Sequence, residues 1–311
     1  MASIFAAPPA QPFHEGERAL QQRAGVREKF AAVESRVFRD SLPEAHRDFF
    51  NQLPFVIAGT VDGRGQPWAS VLASSPGFIE SPDPRRLTIR ARRLTADPLV
   101  ETLAEGVPIG LLGIAPDTRR RNRANGVVEH VTDESFTVRV RQSFGNCPKY
   151  IQARKPEYVG GGAPTKAVHV SQGLDRAARR MIQRADTFFI ATAHPAASGD
   201  SPPGHGVDVS HRGGRPGFVR TDDDGTLTIP DFVGNFFFNT LGNIALNPRA
   251  GLLFIDFEIG DLLYAAGDAE IIWEGAEVEA FEGAERLLRF HVRELKRVEA
   301  SLPLRWGEAQ L

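Results

Sequence analysis

The sequence is poor in the residues that mark several classes of protein. It has one cysteine, Cys147, among 311 residues, so no disulfide can form within the chain and a reducing compartment is expected. Its net charge of −2 argues against a protein dedicated to nucleic acid. No apolar run is long enough to cross a membrane, and no signal peptide is recognisable. We therefore expect a cytoplasmic protein that binds neither nucleic acid nor a membrane.

What the sequence does contain is one block of residues twice. Residues 70–78 align with residues 210–218 at an offset of 140, and one inserted residue extends the alignment as far as Glu129 and Glu270. This period is too long for a solenoid or a propeller blade and indicates two copies of a whole domain. The predicted organisation is an N-terminal arm with helices at 1–52, a first copy at 53–155, a linker at 156–174 and a second copy at 175–311.

The apolar pattern predicts a mainly β protein. In both copies, short strands such as 55–61 and 187–193 are separated by turn residues and one short helix, which is typical of a small barrel. Apolar residues at helical spacing predict further helices that flank the barrels, over 15–39 and 278–300.

One helix of the second copy has an unusual composition. It is predicted over 235–246, after a Gly-Asn pair, and it places Asn235, Asn239 and Asn243 four residues apart on one face. Free N–H groups at a helix start and side-chain amides suit an anion. Two interpretations stay open: a stripe that binds a ligand, or an N-cap at Asn235 followed by two solvated asparagines.

Basic residues cluster in both copies. Ser210 ends a predicted strand over 207–210, and Arg212 lies in its exit loop with two glycines, which suits a phosphate because an arginine donates twice and glycine lets the backbone approach. Solvated loops are the alternative for this cluster and for that of the first copy. The first-copy cluster consists of Arg119, Arg121, Arg123 and Lys149. We expect Cys147 to be an inert packed residue, and we expect no metal site, because no set of ligands stands at a suitable spacing.

Together these segments resemble the FMN-binding split barrel of the pyridoxamine 5′-phosphate oxidase-like proteins. The resembling stretch covers about 181–273, and its most specific parts are 208–213, the Pro-Asp pair at 230–231 and the Gly-Asn pair at 234–235. The resemblance implies two tandem split barrels, with FMN held at their interface. By position it implies a cofactor site made of Ser210, Arg212, Pro230, Asp231, Asn235, Asn239 and Asn243.

The first copy departs from this pattern. Ile89 is not followed by a Pro-Asp or a Gly-Asn pair, so we expect this copy to lack a complete FMN site of its own. We expect it to supply the opposite wall of the second copy's site, since homodimers of this family build their site from two barrels. The candidates for that wall, or for binding a substrate, are Arg119, Arg121, Arg123 and Lys149.

The resemblance implies a flavin-dependent oxidoreductase that takes a small-molecule substrate. The electron donor would be NAD(P)H or a separate reductase, and a homodimer is allowed. The true oxidase of pyridoxamine 5′-phosphate is not expected, and no catalytic residue is assigned. Three alternatives stay open: a non-catalytic flavin carrier, a haem-binding relative on the same barrel that uses His205, His211 or His291, and a structural protein without a cofactor.

Overall fold

The computed structural model describes residues 12–32, 34–160, 167–307 and residue 309. The helices are α1 Glu15–Arg23, α2 Arg27–Ala31, α3 Glu34–Val37, α4 Glu44–Gln52, α5 Leu99–Thr102, α6 Arg176–Arg184, α7 Asn239–Leu246 and α8 Ala276–Glu279. The strands of the first sheet are β1 Phe55–Val61, β2 Pro67–Ala73, β3 Ile79–Glu80, β4 Arg86–Ile89, β5 Pro108–Ala115, β6 Arg120–Val131 and β7 Phe136–Gly145. The later strands are β8 Pro156–Tyr158, β9 Val168–Ser171, β10 Thr187–Ala193, β11 Val207–Gly213, β12 Arg220–Thr221, β13 Thr226–Phe232, β14 Arg249–Ile255, β15 Leu262–Ile272, β16 Ala284–Val298 and β17 Leu304–Trp306.

The two large sheets share one strand order. The first runs β2-β1-β5-β6-β7-β4-β3 and the second runs β11-β10-β14-β15-β16-β13-β12, with β9 beside β16. Strand for strand these are the same arrangement, so the fold is two tandem split barrels, as the repeat predicts. In the part of the chain described above, no helix is long and apolar enough to span a membrane.

Apolar side chains form a core inside each barrel and a third core between the barrels. The third core joins Phe55 and Val71 of the first copy to Phe189 and Val209 of the second, all of which are buried. Strands β1 and β10 face a barrel core on one side and this shared core on the other. That double burial explains why both strands are continuous apolar runs instead of alternating ones.

Two glycines at equivalent repeat positions allow the copies to touch. A Cβ added to Gly110 would lie 2.5 Å from the carbonyl oxygen of Val207, and one added to Gly251 would lie 2.2 Å from that of Pro67. Each glycine therefore lies directly against the backbone of the other copy. No larger residue fits either position without moving the two barrels apart.

The predicted C-terminal helix over 278–300 is wrong. Only the short helix α8 lies there, and β16 occupies most of the segment, paired with β15 and β13. The sequence holds a competing signal: from Arg289 to Arg293, basic residues alternate with Phe290 and Val292. Pairing on both edges of the strand stabilises this period of two over the weaker helical spacing.

Two further helix predictions need correction. The single helix over 15–39 is instead α1, α2 and α3, and the first break contains Gly25 with a positive φ of 70°. The helix predicted over 235–246 begins only at Asn239, because Phe236 and Phe238 before it adopt left-handed backbone conformations. The predicted linker contains β8 and β9, and its Gly161 and Gly162 lie outside the described residues.

Candidate functional site

A cleft of about 920 Å³, including the space open to solvent at its mouth, lies where the two copies meet. The first copy contributes β5, β6 and the loop after β7, and the second contributes β11, the end of β13 and the start of α7. Nine of the predicted site residues line it: Arg121, Arg123, Lys149, Ser210, Arg212, Pro230, Asp231, Asn235 and Asn239. Arg119, in the turn before β6, and Asn243 do not line it.

The deep end of the cleft is a hydrogen-bonded network that joins the copies. Arg123 Nη1 donates to Asp208 Oδ1 at 2.6 Å, and its Nη2 donates to Ser210 Oγ. Ser210 Oγ also lies 2.7 Å from the Thr240 hydroxyl. Burial lowers the pKa of Arg123 and the Asp208 carboxylate opposes that shift, so the ion pair keeps a buried guanidinium charged.

The three asparagines have three different roles. Asn243 is fully buried, and its amide donates to Asp208 Oδ2 at 3.0 Å and to Thr192 Oγ1 at 3.1 Å. Asn239 lines the cleft and donates to Glu17 of α1. Asn235 is not an N-cap, because it precedes the helix and accepts from the backbone N–H of Phe237. The alternative of two solvated asparagines is therefore wrong.

A buried arginine that the sequence analysis missed lies at the other end of the cleft. Arg286 of β16 is sandwiched between the rings of Trp273, at 4.8 Å, and Phe238, at 5.1 Å. Its Nε lies 3.3 Å from Asp231 Oδ2, and Asp231 also pairs with Arg212. Its Nη1 is buried and has no hydrogen-bond partner in the described part of the chain. Arg286 was missed because its segment was predicted to be a helix.

Arg121 is a half-buried cation that no carboxylate of the described residues pairs with. Its Nε donates to the carbonyl of Cys147 at 2.6 Å, and its Nη1 lies 3.0 Å from His211 Nδ1. Burial, with Arg123 and Arg212 nearby, lowers the pKa of Arg121 to about 10. Burial and Arg121 lower the pKa of His211 well below its ordinary value, so this imidazole is neutral and its Nδ1 accepts a hydrogen bond from Arg121 Nη1.

Aromatic side chains bridge the mouth of the cleft. Tyr150 of the first copy stacks on Phe232 of the second with ring centroids 5.3 Å apart, and its hydroxyl donates to the carbonyl of Val233 at 3.1 Å. Phe236 and Phe238 line the same end. The cleft thus combines charged groups with flat apolar surfaces, on which a planar ring can lie.

The repeat relates Arg121 and Arg123 of the first copy to two residues of the second copy, and the space around those two residues is filled with side chains. Tyr264 stands where the other copy has Arg123, and Leu262 stands where it has Arg121. Tyr264 is fully buried, and its hydroxyl donates to Asp97 Oδ2 at 2.7 Å. The two copies therefore surround one cationic cleft and one contact that is filled by packed side chains.

A histidine cluster lies beside α1 and was not predicted, since its members are far apart in sequence. Ligand atoms of His14, Glu15 and His194 lie within 4.8 Å of one another, and His205 stacks on His194 at 4.0 Å. However, Nδ1 of His14 and of His194 each accept a backbone N–H at 3.1 Å, which places their protons on Nε2. A protonated nitrogen has no lone pair for a metal. Nε2 of His194 lies 3.3 Å from Glu15 Oε1, whereas the buried Nε2 of His14 has no hydrogen-bond partner among the described residues.

Comparison with known sequences identifies the family. The sequence profile described as pyridoxamine 5′-phosphate oxidase matches this chain twice, over residues 42–166 and 174–303. The chain belongs to the pyridoxamine 5′-phosphate oxidase family and carries two tandem copies of its domain. No curated protein matches the sequence.

Solved structures with low sequence identity match one copy at a time. HupZ of Group A Streptococcus is 20% identical over 39% of this chain and 91% of its own, with a TM-score of 0.31. An FAD-binding protein of Mesorhizobium loti is 12% identical over 43% and 99%, with a TM-score of 0.29. HutZ, the heme storage protein of Vibrio cholerae, is 13% identical over 42% and 93%, with a TM-score of 0.25.

Proposed function

We propose that this chain binds FMN in the cleft between its two copies and acts as a flavin-dependent oxidoreductase. Membership of the family supports a flavin, and one observation about the cleft carries the proposal. Among the described residues that line the cleft, five are cations and one is a carboxylate, Asp231. The cations are Arg121, Arg123, Lys149, Arg212 and Arg286.

This excess of positive charge fits a phosphate ester. Arg123 is already neutralised by Asp208, whereas Arg121 has only neutral acceptors and Arg286 keeps a buried N–H without an acceptor. Buried donors and cations in this state favour an anionic ligand, because an unmet donor costs about 1–3 kcal/mol. The resemblance assigns the phosphate to Ser210, Arg212 and Asn235.

The remaining walls suit a flat ring system. Tyr150, Phe232 and Phe238 present aromatic surfaces, and Pro230 lies at the edge of the cleft. A bound flavin supplies the redox chemistry, while the chain supplies binding, orientation and electrostatics. Arg121 and Arg286, one from each copy, would stabilise negative charge on a ring that lies between them.

Both walls of the cleft come from one chain, so the proposed site is complete without a second copy. A small-molecule substrate would enter past Tyr150 at the mouth. NAD(P)H or a separate reductase is the proposed source of electrons, and the cytoplasm, where NAD(P)H is supplied, is the proposed location. A carrier that binds flavin without reducing a substrate is the main alternative.

The test is an absorption spectrum of the purified protein followed by titration with FMN, with riboflavin as the matched ligand without a phosphate. We expect one FMN per chain, and riboflavin should bind at least about tenfold more weakly because it lacks the charge-assisted contacts. A protein that binds neither ligand overturns the proposal, and a Soret band in its place indicates haem. Bound flavin that neither NAD(P)H nor a reductase reduces indicates the carrier.

A further inference from the structure

A second cavity, of about 1000 Å³ when measured like the cleft with the space open to solvent included, lies at the junction of the two copies and of the last strand. We call it the junction cavity and define it by Arg154, Asp186, Phe257 and Trp306. Arg154 follows the first barrel, Asp186 precedes β10, and Phe257 follows β14. Trp306 is held in place because β17 pairs with β8. No part of the proposed flavin site lies in it.

Three buried polar atoms of this cavity have no hydrogen-bond partner in the described part of the chain. They are Nε of Arg154, Oδ1 of Asp186 and Nε1 of Trp306. Arg154 and Asp186 form an ion pair through Nη2 of the arginine and Oδ2 of the aspartate. This pair leaves Nε of Arg154 and Oδ1 of Asp186 without a partner. Most buried polar groups in proteins have a partner, so two free donors and one free acceptor beside one cavity mark a place that water or a ligand can complete.

The walls of the junction cavity define the shape and charge of that ligand. Phe257 and Trp306 meet edge to face with ring centroids 4.7 Å apart, and the Arg154 guanidinium lies 4.0 Å over Phe257. Three basic and three acidic residues line the cavity, so its net charge is zero among the described residues. Two aromatic rings, balanced charges and a few convergent polar groups suit a neutral planar ligand.

The junction cavity also lies next to the proposed flavin site. A smaller cavity between the two is lined by His211, which also lines the cleft. The same small cavity is lined by Arg154, Phe257 and Trp306 of the junction cavity. A ligand in the junction cavity would therefore be separated from the contents of the cleft by this small cavity and by His211, which borders both the small cavity and the cleft.

We infer that the junction cavity binds a planar heterocycle with an amide-type edge, the chemistry that nicotinamide and flavin rings share. Two ring acceptors would meet Arg154 and Trp306, and one ring N–H or amide N–H would meet Asp186. The inference stands on this cavity alone and does not require FMN in the cleft.

The experiment is calorimetric titration of protein saturated with FMN, using nicotinamide, oxidised NAD and riboflavin as probes. We expect one further binding event per chain for at least one probe. Trp306→Phe keeps the ring and removes the N–H, and it should weaken that event by about fivefold to tenfold. Glu80→Gln, at an exposed ion pair outside both the cleft and the junction cavity, should leave it unchanged.

A matched control is Trp273→Phe, which alters a tryptophan outside the junction cavity. Thermal unfolding of each variant shows that it is folded. If no probe binds, or if binding is the same in Trp306→Phe as in the unaltered chain, the inference is overturned and water fills the cavity. If FMN itself does not bind, the proposed function fails, and the same titrations on the purified protein test the junction cavity separately.

Discussion

Arg123 of the first copy and Asp208 of the second form a buried ion pair, with 2.6 Å between Nη1 and Oδ1. Both carboxylate oxygens of Asp208 are used, since Asn125 and Asn243 donate to it as well. The pair therefore fixes the position of the deep wall of the cleft and ties the two barrels together at the same point.

Removing the charge of Asp208 should destabilise the whole fold. Asp208→Asn leaves Arg123 buried without its partner, and breaking a buried pair in this way costs about 3–5 kcal/mol. The free energy of unfolding in urea measures the loss. Glu80→Gln is the control, because Glu80 and Arg90 form an exposed pair that contributes about 1 kcal/mol or less. Equal losses in both variants would contradict a special role for the buried pair.

The phosphate assignment predicts that the two copies respond differently to substitution. Arg212→Ala with Asn235→Ala should remove most of the FMN that copurifies, because charge-assisted contacts to the phosphate are lost. Ser74→Ala with Thr95→Ala, in loops of the first copy at or near the positions that the repeat relates to these residues, should leave the flavin content unchanged. Flavin content is read from the absorption spectrum of denatured protein. Full retention in the first variant, or loss of half in the second, would show that the site is misassigned.

Contact between the barrels should be sensitive to a single methyl group. Gly110→Ala and Gly251→Ala each place a Cβ within 2.5 Å of a carbonyl oxygen of the other copy, and overpacking of this kind costs about 1–3 kcal/mol. Gly63→Ala is the control, since nothing lies within 4 Å of its added Cβ. Melting temperatures that do not separate the control from the other two variants would show that the barrels are not in direct backbone contact.

The N-terminal helix should loosen in acid through His14. Burial lowers the pKa of His14 to about 4, against 6.5 when it is exposed. Protonation therefore favours the state in which α1 is detached and His14 is exposed. The stability that His14 contributes is lost as the pH falls from about 6.5 towards 4, at up to about 1.4 kcal/mol per pH unit. Protonation also places a hydrogen on Nδ1 of His14, which then can no longer accept the hydrogen bond from the backbone N–H of Gly16. The cap of α1 is lost as a result.

His14→Asn isolates this effect, because asparagine is a good N-cap that does not titrate. Other charged groups face His14: Glu15 and Glu17 from α1, His194 and His205 from the loop after β10, and Asp208 from β11. The pKa of the buried Glu17 is raised, so Glu17 acts in the opposite direction and its contribution is common to both proteins. Hydrogen exchange of α1 at pH 7 and at pH 4.5 should differ less in His14→Asn than in the unaltered chain. The same pH dependence in both would rule out His14 as the cause.

The sequence was sufficient to predict the repeat, most of the strands and those site residues that lie within one short segment. Strand β1 has the predicted bounds, and the turn at Asp62 closes with the N–H of Gly65 bonded to the Asp62 carbonyl. Ser210 and Arg212 could be singled out because Arg212 stands beside glycines in one short segment, and residues two positions apart on a strand share a face. Their position in the cleft agrees with that interpretation.

Other features depend on contacts between distant segments, which no local pattern records. Arg286 reaches the cleft only because β16 pairs with β13, and its helical spacing concealed that strand. Glu17 reaches Asn239 because α1 packs on α7 across Gly16 and Gly242. The histidine cluster likewise joins residues that are about 180 positions apart. Sequence periodicity predicts each element, but it does not say which elements meet.

The substitution of Tyr264 for the position held by Arg123 in the other copy has a wider consequence. In a homodimer with twofold symmetry, every substitution at the interface occurs in both barrels. A substitution there that strengthens the association of the barrels therefore also changes both ligand sites at that interface. Joining the barrels in one polypeptide removes that obligation. One contact between the barrels can become a permanently packed interface while the other keeps its charged residues. Substitutions that strengthen the association of the barrels and substitutions that change ligand binding can then be selected separately.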